Sequence, residues 1–518
     1  MTKPAYRCLY NHELLILSTT QTPYQTYREN ITDAQVTGYV RELAGTGVDA
    51  LMCCPQAWMT PAYYSEIDRK WQDEAPSQVE PLPESDWKYH DKAYYRLRRY
   101  MLQKKDPVAL SLAAAREIGI AFFLSYRMNE AHYLNYPDCP THSRFWREHP
   151  EFRIRPGGCE PLNYLVPEVH DRYLALLFEL IERYDIDGFE LDFMRWPRFF
   201  PADKIVEGRG VMTGFVRRIR RKLDEVGRSR GKQLLLCVRI PRTLVDGERI
   251  GLDPAAWDRE RLIDMANLSS FFLNTPEVDI AGMKKLLLGT RIYGELHFVT
   301  QPGNTAAGYT NNISRKTNRQ TYETTALSFL DRGADGLSFF NFAYTRDHSF
   351  AEPRRRDYPG VEPPFDVLKS ICDTDYLRLR PKQYVVPPGF GTFPLTLGSP
   401  SGPAEITLYV ADRFEAGHPF RRAVLRLEAD RPCGGYDIAV TLNGSLLQRT
   451  AGCGELFPPL SPEGLPGPDR LLFYAVPLTA LRHGNNRITV ENRLPGEYGR
   501  ENITFRELEL GIYTTQDG

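Results

Sequence analysis

Eight short runs of apolar residues recur along the first part of the chain, at 13–20, 48–55, 120–126, 188–193, 233–240, 268–274, 291–298 and 336–342. Each has the length of a strand and is bounded by polar or turn-forming residues. Stretches with helical apolar spacing precede several of them, at 36–43, 169–184 and 322–332. Alternation of helices with nearly continuous apolar strands is the pattern of a parallel sheet covered on both faces. Eight such units predict an α/β fold, a (β/α)8 TIM barrel. The second run starts 35 residues after the first (13 to 48), but the next two spacings are 72 (48 to 120) and 68 (120 to 188). The excess places long loops at about 56–107 and 133–165, which carry Trp58, Tyr63, Tyr64, Trp71, Trp87 and Trp146. Long βα loops of such a barrel lie on its catalytic face.

Beyond about 375 the pattern changes. Pro387, Pro388, Gly389, Gly391 and Pro394 mark a domain edge. Short alternating strands follow at 405–411, 422–429, 436–442, 470–476, 487–492 and 504–513, with turn signals such as Asn443-Gly444 between them. They predict an all-β sandwich. The expected division is a barrel over 1–378 and a sandwich over 379–518. The sandwich aromatics Tyr409, Tyr436, Phe473 and Tyr474 alternate as core residues do, which favours a bracing role over glycan binding.

Polar residues inside the apolar strands carry the chemical information. Successive strand residues face opposite sides, and the outer side of a barrel must meet helices. Phe189, Leu191 and Phe193 therefore point out, and Glu190 and Asp192 point in. By the same alternation Arg239, Tyr293, Glu295 and His297 point in. The third run ends in Arg127, Asn129, Glu130 and His132, the sixth in Asn274 and the eighth in Asn341. Barrel interiors are normally filled by Val, Ile and Leu, and unpaired buried charges are costly. These groups must pair or be used. A satisfied salt-bridge layer, Glu190 with Arg239 or Arg127, is the structural alternative to a functional site.

Carboxylates from two barrel strands suit glycoside hydrolysis, one as general acid and the other as nucleophile or base. Asp192 is the expected nucleophile or base, Glu295 the acid and Glu190 the alternative second carboxyl. Arg127, Asn129, His132, Arg195, Trp196, Arg239, Asn274, His297 and Asn341 are the expected substrate-binding residues. The arginines Arg127, Arg195 and Arg239 fit either an anionic sugar or partners for the carboxylates.

Composition narrows the partners. The 65 Lys and Arg nearly balance the 66 Asp and Glu, for a net charge of -1, which excludes an overall basic nucleic-acid binder. No apolar run reaches the ~18 residues of a membrane span. The first residues lack a signal-peptide pattern, so a cytoplasmic location is expected, or a periplasmic or secreted one if a leader was removed. The nine cysteines show no ligand spacing, although Cys433 and Cys453 are near enough in sequence to pair. Neither a metal nor a cofactor is expected, because no Gly-rich phosphate loop or HExxH motif is present. The expected partner is a carbohydrate, with no nucleic acid and no membrane.

The segment from Tyr184 to Pro197, YDIDGFELDFMRWP, resembles the DG-x-x-x-D-[FY]-x-R-[YW]-P signature of the glycosyl-hydrolase-like barrel proteins called family-10-like. With Arg127–His132 (RMNEAH) it is similar to bacterial members of that group that carry a C-terminal sandwich. The resemblance covers the barrel and implies a glycosidase whose fourth-strand carboxylate is Asp192. The same segment also resembles the DG-x-D-x-D-x-E strand of family 18 chitinases. There Glu190 replaces an Asp and Met194 the final acid, a departure that speaks against chitinase chemistry assisted by the substrate. Two other readings stay open: a barrel that binds carbohydrate without turnover, and a lyase or isomerase acting on a sugar acid through Glu295 and His297.

Overall fold

The computed structural model describes residues 5–19, 30–73, 89–271, 273–301, 315–346, 362–389, 391–398, 400–452, 454–460, 466–494 and 502–515; Trp87 and Cys453 lie outside them. The chain divides into two compact units. One comprises Met1–Phe271, Asp279–Glu295 and Ala334–Phe365, and the other Phe272–Val278, Leu296–Gly333 and Asp366–Gly518.

Eight parallel strands close into a barrel in sequential order, as the apolar runs predict. They are β1 (Cys8–Glu13), β2 (Ala50–Cys54), β3 (Ala121–Arg127), β4 (Gly188–Asp192), β5 (Leu235–Pro241), β6 (Met265–Ser269), β7 (Arg291–His297) and β8 (Gly336–Phe340). Helices α1 (Asp33–Arg41), α2 (Pro107–Glu117), α3 (Pro167–Arg183) and α4 (Ile205–Ser229) alternate with the early strands. Local chemistry sets where they start. Thr32 and Gln35 form a reciprocal capping box on α1, and Asp106 caps α2 ahead of Pro107.

Two expected strands are displaced. The first lies at Cys8–Glu13 and not at 13–20; the apolar residues after Glu13 form a buried turn and the short helix Ile16–Thr19. The sixth ends at Ser269, so Asn274 follows it by five residues and is not on a strand. In both places the barrel strand carries polar inward positions and the neighbouring connection is apolar, so hydrophobicity marks the wrong segment.

Inside the barrel, Leu9, Ala50, Met52, Phe123, Leu235, Cys237, Met265 and Tyr293 pack into one apolar cluster. Two glycines make room for its rings. A Cβ on Gly188 would lie 2.1 Å from the Phe123 ring, and one on Gly336 2.7 Å from the Tyr293 ring. This layer fixes the phase of the alternation. Leu9, Phe123 and Leu235 point in near the strand starts, so Glu13, Arg127 and Arg239 point in near the strand ends.

The second unit holds two antiparallel sheets. Strands β9 (Lys382–Val386), β12 (Arg422–Ala429), β15 (Gln448–Thr450), β16 (Leu471–Val476) and β18 (Ile503–Tyr513) form one, in the order β9-β18-β12-β16-β15, and β10 (Leu395–Leu397) also pairs with β18. Strands β11 (Ala404–Val410), β13 (Ile438–Leu442), β14 (Ser445–Leu446) and β17 (Gly484–Asn492) form the other, in the order β11-β17-β13-β14. Residues from both sheets share one core, including Tyr384, Leu425 and Leu510 from the first and Leu408, Val440 and Ile488 from the second. This is a β-sandwich. Among the described residues no helix is long and apolar enough to cross a membrane.

Candidate active site

The strand ends of the barrel bring carboxylates and guanidinium groups together in two linked sets. The first is centred on Arg239 at the end of β5. Its Nη1 donates to Asp192 Oδ1 at 2.9 Å, and its Nε and Nη2 hold both oxygens of Glu295 at 2.5 and 2.9 Å. Ser269 Oγ adds a 2.5 Å bond to Glu295 Oε1, and the Phe340 ring lies 3.6 Å from the Arg239 guanidinium carbon. Glu295 is thus saturated. Burial outweighs Arg239 and leaves its carboxyl above the usual range.

Asp192 is held differently. Oδ1 also accepts the Met194 N–H at 2.8 Å, and its own carbonyl accepts the Met128 N–H at 2.9 Å. Oδ2 takes no hydrogen bond from any described residue. Two residues earlier on the same inner face, Glu190 is enclosed by Ser125 Oγ at 2.7 Å and Cys237 Sγ at 3.4 Å. Burial, and then the negative charge of Asp192, push its carboxyl up to about 7.

The second set is centred on Arg127 at the end of β3, which pairs with Glu13 from β1 and, at 3.0 Å, with Glu130. Burial pushes Glu13 up, but Arg127 and then Arg195 outweigh it and hold the carboxyl below the usual range. Tyr344 OH donates to Glu13 at 3.0 Å. Glu130 receives the backbone N–H groups of Ala131 and His132 and, closely, His132 Nδ1. Nε2 of His132 faces Arg195 Nη2 at 2.8 Å. Nδ1 also receives the Trp196 indole N–H at 3.2 Å, so Glu130, Arg195 and Trp196 together fix the ring. Its pKa is lowered, by burial first, with Arg195 also opposing the added charge.

The mouth is also where the backbone is strained. Eight described non-glycine residues have left-handed φ, and five of them lie one to six residues past a barrel strand: Trp58 (57°), Tyr133 (59°), Trp196 (55°), Phe271 (62°) and Asn341 (55°). Such a conformation costs roughly 1–3 kcal/mol per residue, and strain of this kind clusters at functional sites. Four of the five are aromatic, and three of these, Trp58, Tyr133 and Trp196, form a row with His132. The ring centroids of His132 and Trp196 are 5.3 Å apart, those of His132 and Tyr133 5.8 Å, and those of Trp58 and Tyr133 5.6 Å.

Of the residues singled out in sequence, Asp192, Glu190, Glu295 and Arg239 meet at the barrel mouth, as do Arg127, His132, Arg195 and Trp196. Asn129 donates to the carbonyls of Leu162 (3.1 Å) and Arg198 (2.6 Å) and so ties two loops together. Asn341 adjoins the strand end with its left-handed backbone. Asn274 and His297 are buried in the second unit: the Asn274 N–H donates to Val299, and the His297 carbonyl accepts from Thr317. Arg127 pairs with Glu13 and Glu130, not with Glu190. Glu13 and Ser269 were missed. Both sit on the two displaced strands; the alternation of Leu9, Asn11 and Glu13 is the signal that would have found Glu13. Among the described residues no group of three or more His, Cys, Asp or Glu side chains is placed to hold a metal ion.

No protein-family model matches the chain, and no curated protein matches it in sequence. Solved structures similar to it include the chitinase ChiW of a Paenibacillus species, with 11% identity over 97% of this chain and a TM-score of 0.39. This chain spans 54% of the ChiW chain. A family GH18 chitinase from Chromobacterium violaceum is 10% identical over 98% of this chain and 91% of its own, with a TM-score of 0.40. The alpha-L-fucosidase isoenzyme 1 of Paenibacillus thiaminolyticus is 13% identical over 94% of this chain and 97% of its own, with a TM-score of 0.36.

Proposed function

We propose that the chain is a glycoside hydrolase acting on a poly- or oligosaccharide at the C-terminal mouth of the barrel. The observation that carries this reading is Asp192. Main-chain N–H and Arg239 fix one of its oxygens, while the other has no donor among the described residues. A carboxylate so fixed, with a lone pair left to use, suits a nucleophile or general base. Of the two candidates for proton donor, Glu190 is the one that keeps a proton up to about pH 7. Glu295 is engaged at both oxygens and serves to hold Arg239. Turnover then falls above about pH 7, and Glu190→Gln removes that limb.

The test is release of reducing ends from a panel of polysaccharides by the wild-type chain and by Asp192→Asn. The expected loss is about 10²–10⁴-fold with the unfolding transition retained. Full activity in Asp192→Asn sinks the assignment. A second reading, saccharide binding without turnover, is favoured by the saturation of Glu295, which leaves one unengaged carboxylate oxygen where a hydrolase uses two carboxyl groups. Binding of a glycan by the wild-type chain with no release of reducing ends would select it.

A further inference from the structure

The five described tryptophans divide sharply. Trp58, Trp71, Trp146 and Trp257 are buried, whereas Trp196 is 39% exposed. An indole held exposed on a left-handed backbone carries strain of the kind that clusters at functional sites. Trp196 does not stand alone: His132 packs edge-on against it, Tyr133 against His132, and Trp58 against Tyr133. These residues come from three separate loops, after β2, β3 and β4. The buried end of this aromatic row fixes the angle at which the exposed end faces out. His132 is itself immobilised by Glu130 and Arg195, so the row is rigid.

The charges beside it limit what it can take. Arg127 is held by Glu13 and Glu130, Arg239 by Asp192 and Glu295, and Arg195 faces His132 with Glu13 and Glu130 close enough to act on it. Four carboxylates face three guanidinium groups, so the described mouth carries a surplus of negative charge. At Arg127 and Arg239 a uronate or sulfate would have to displace a carboxylate to reach the guanidinium. An uncharged ring meets no such cost, and its apolar C–H face matches an indole plane.

We infer that Trp196 is the stacking platform of this mouth, held in place by His132, Tyr133 and Trp58, and that its ligand is an uncharged pyranose unit of the saccharide. The inference rests on the carbohydrate reading given above and narrows its substrate class.

The experiment is calorimetric titration of the full chain carrying Asp192→Asn with cellohexaose, xylohexaose, laminarihexaose, chitohexaose and hexagalacturonate. The expected result is that an uncharged hexasaccharide binds and hexagalacturonate does not. Adding Trp196→Ala weakens that binding about tenfold or more, and Trp196→Phe, which keeps a ring, recovers most of it. Thermal unfolding of each variant confirms that it folds. Tightest binding of hexagalacturonate, equal binding with Trp196→Ala, or no binding of any probe overturns the inference. The two proposals fail separately. Reducing-end release that depends on Asp192 but not on Trp196 removes the platform and leaves the hydrolase. Trp196-dependent binding without any release does the reverse.

Discussion

The barrel and the sandwich each bury a network of arginines and carboxylates, yet a cluster of left-handed residues lies beside only one of them. In the sandwich unit Arg315 and Arg426 lie among Glu428, Glu455, Glu507 and Glu509, all buried. Arg426 is paired across strands with Glu509, and Glu428 with Glu507. These groups occupy the face of β12 and β18 opposite the apolar core, and none of them has a left-handed backbone. The barrel network has similar ions and similar burial. An oxygen without a donor among the described residues occurs in both, at Asp192 in the barrel and at Glu507 and Glu509 in the sandwich; the barrel network differs in the strained loops around it. Buried charge by itself therefore does not identify a site. What separates the two networks is the left-handed backbone clustered past the barrel strands.

The largest effects are expected from the central cations. Arg239→Met strands Asp192 and Glu295, Arg426→Met removes one of the two cations that hold Glu455, Glu507 and Glu509, and each should cost about 3–5 kcal/mol in denaturant unfolding. A cost below ~1 kcal/mol for Arg239→Met would mean that the barrel carboxylates are not held by that ion at all.

Next comes Glu190. Its folded pKa of about 7 lies above the ordinary 4.5, so between these values the folded chain keeps a proton that the unfolded chain releases. Its contribution to stability is therefore lost as pH rises through that window and levels off above about 7. The stability of wild type relative to Glu190→Gln should fall by about 3 kcal/mol across it, measured by unfolding at a series of pH values. A difference that does not change with pH would remove Glu190 as a proton carrier.

The smallest effect is expected in the sandwich. Burial pushes the Glu507 carboxyl well above the usual range, with Glu509 and Glu428 adding to it against Arg315 and Arg426. Glu507→Gln imitates the protonated form and should change stability at neutral pH by no more than about 1 kcal/mol. A loss as large as that of Arg426→Met would show that the two networks are closer in kind than the strain suggests.

Most of the barrel was legible because β2, β3, β4, β5, β7 and β8 are apolar on the outer face and bounded by turns. Glu190, Asp192, Arg239 and Glu295 stood out as polar interruptions with the right alternation. The first and sixth strands were misplaced for the same reason that they matter: Asn11, Glu13, Asn267 and Ser269 break their apolar pattern, while Leu14–Leu17 and Phe271–Leu273 beside them are more hydrophobic. The pairing of ions is not legible in sequence, since Arg127 reaches Glu13 across 114 residues. Nor is the backbone conformation of Trp58, Tyr133 and Trp196, which loop packing imposes on residues that do not favour it.

The ring-filled layer behind Gly188 and Gly336 has a consequence for traffic. Phe123, Tyr293, Met52 and Met265 are almost inaccessible to solvent and close the axis of the barrel at the strand starts. That end of the barrel is shut by side chains. A molecule that reaches Asp192 along the barrel axis comes from the strand-end side and leaves the same way, and a water molecule needed at Asp192 shares that side. Occupancy of the mouth and access of water are therefore coupled, and a long polymer can present an end or a bend to this carboxylate but cannot be threaded through the barrel.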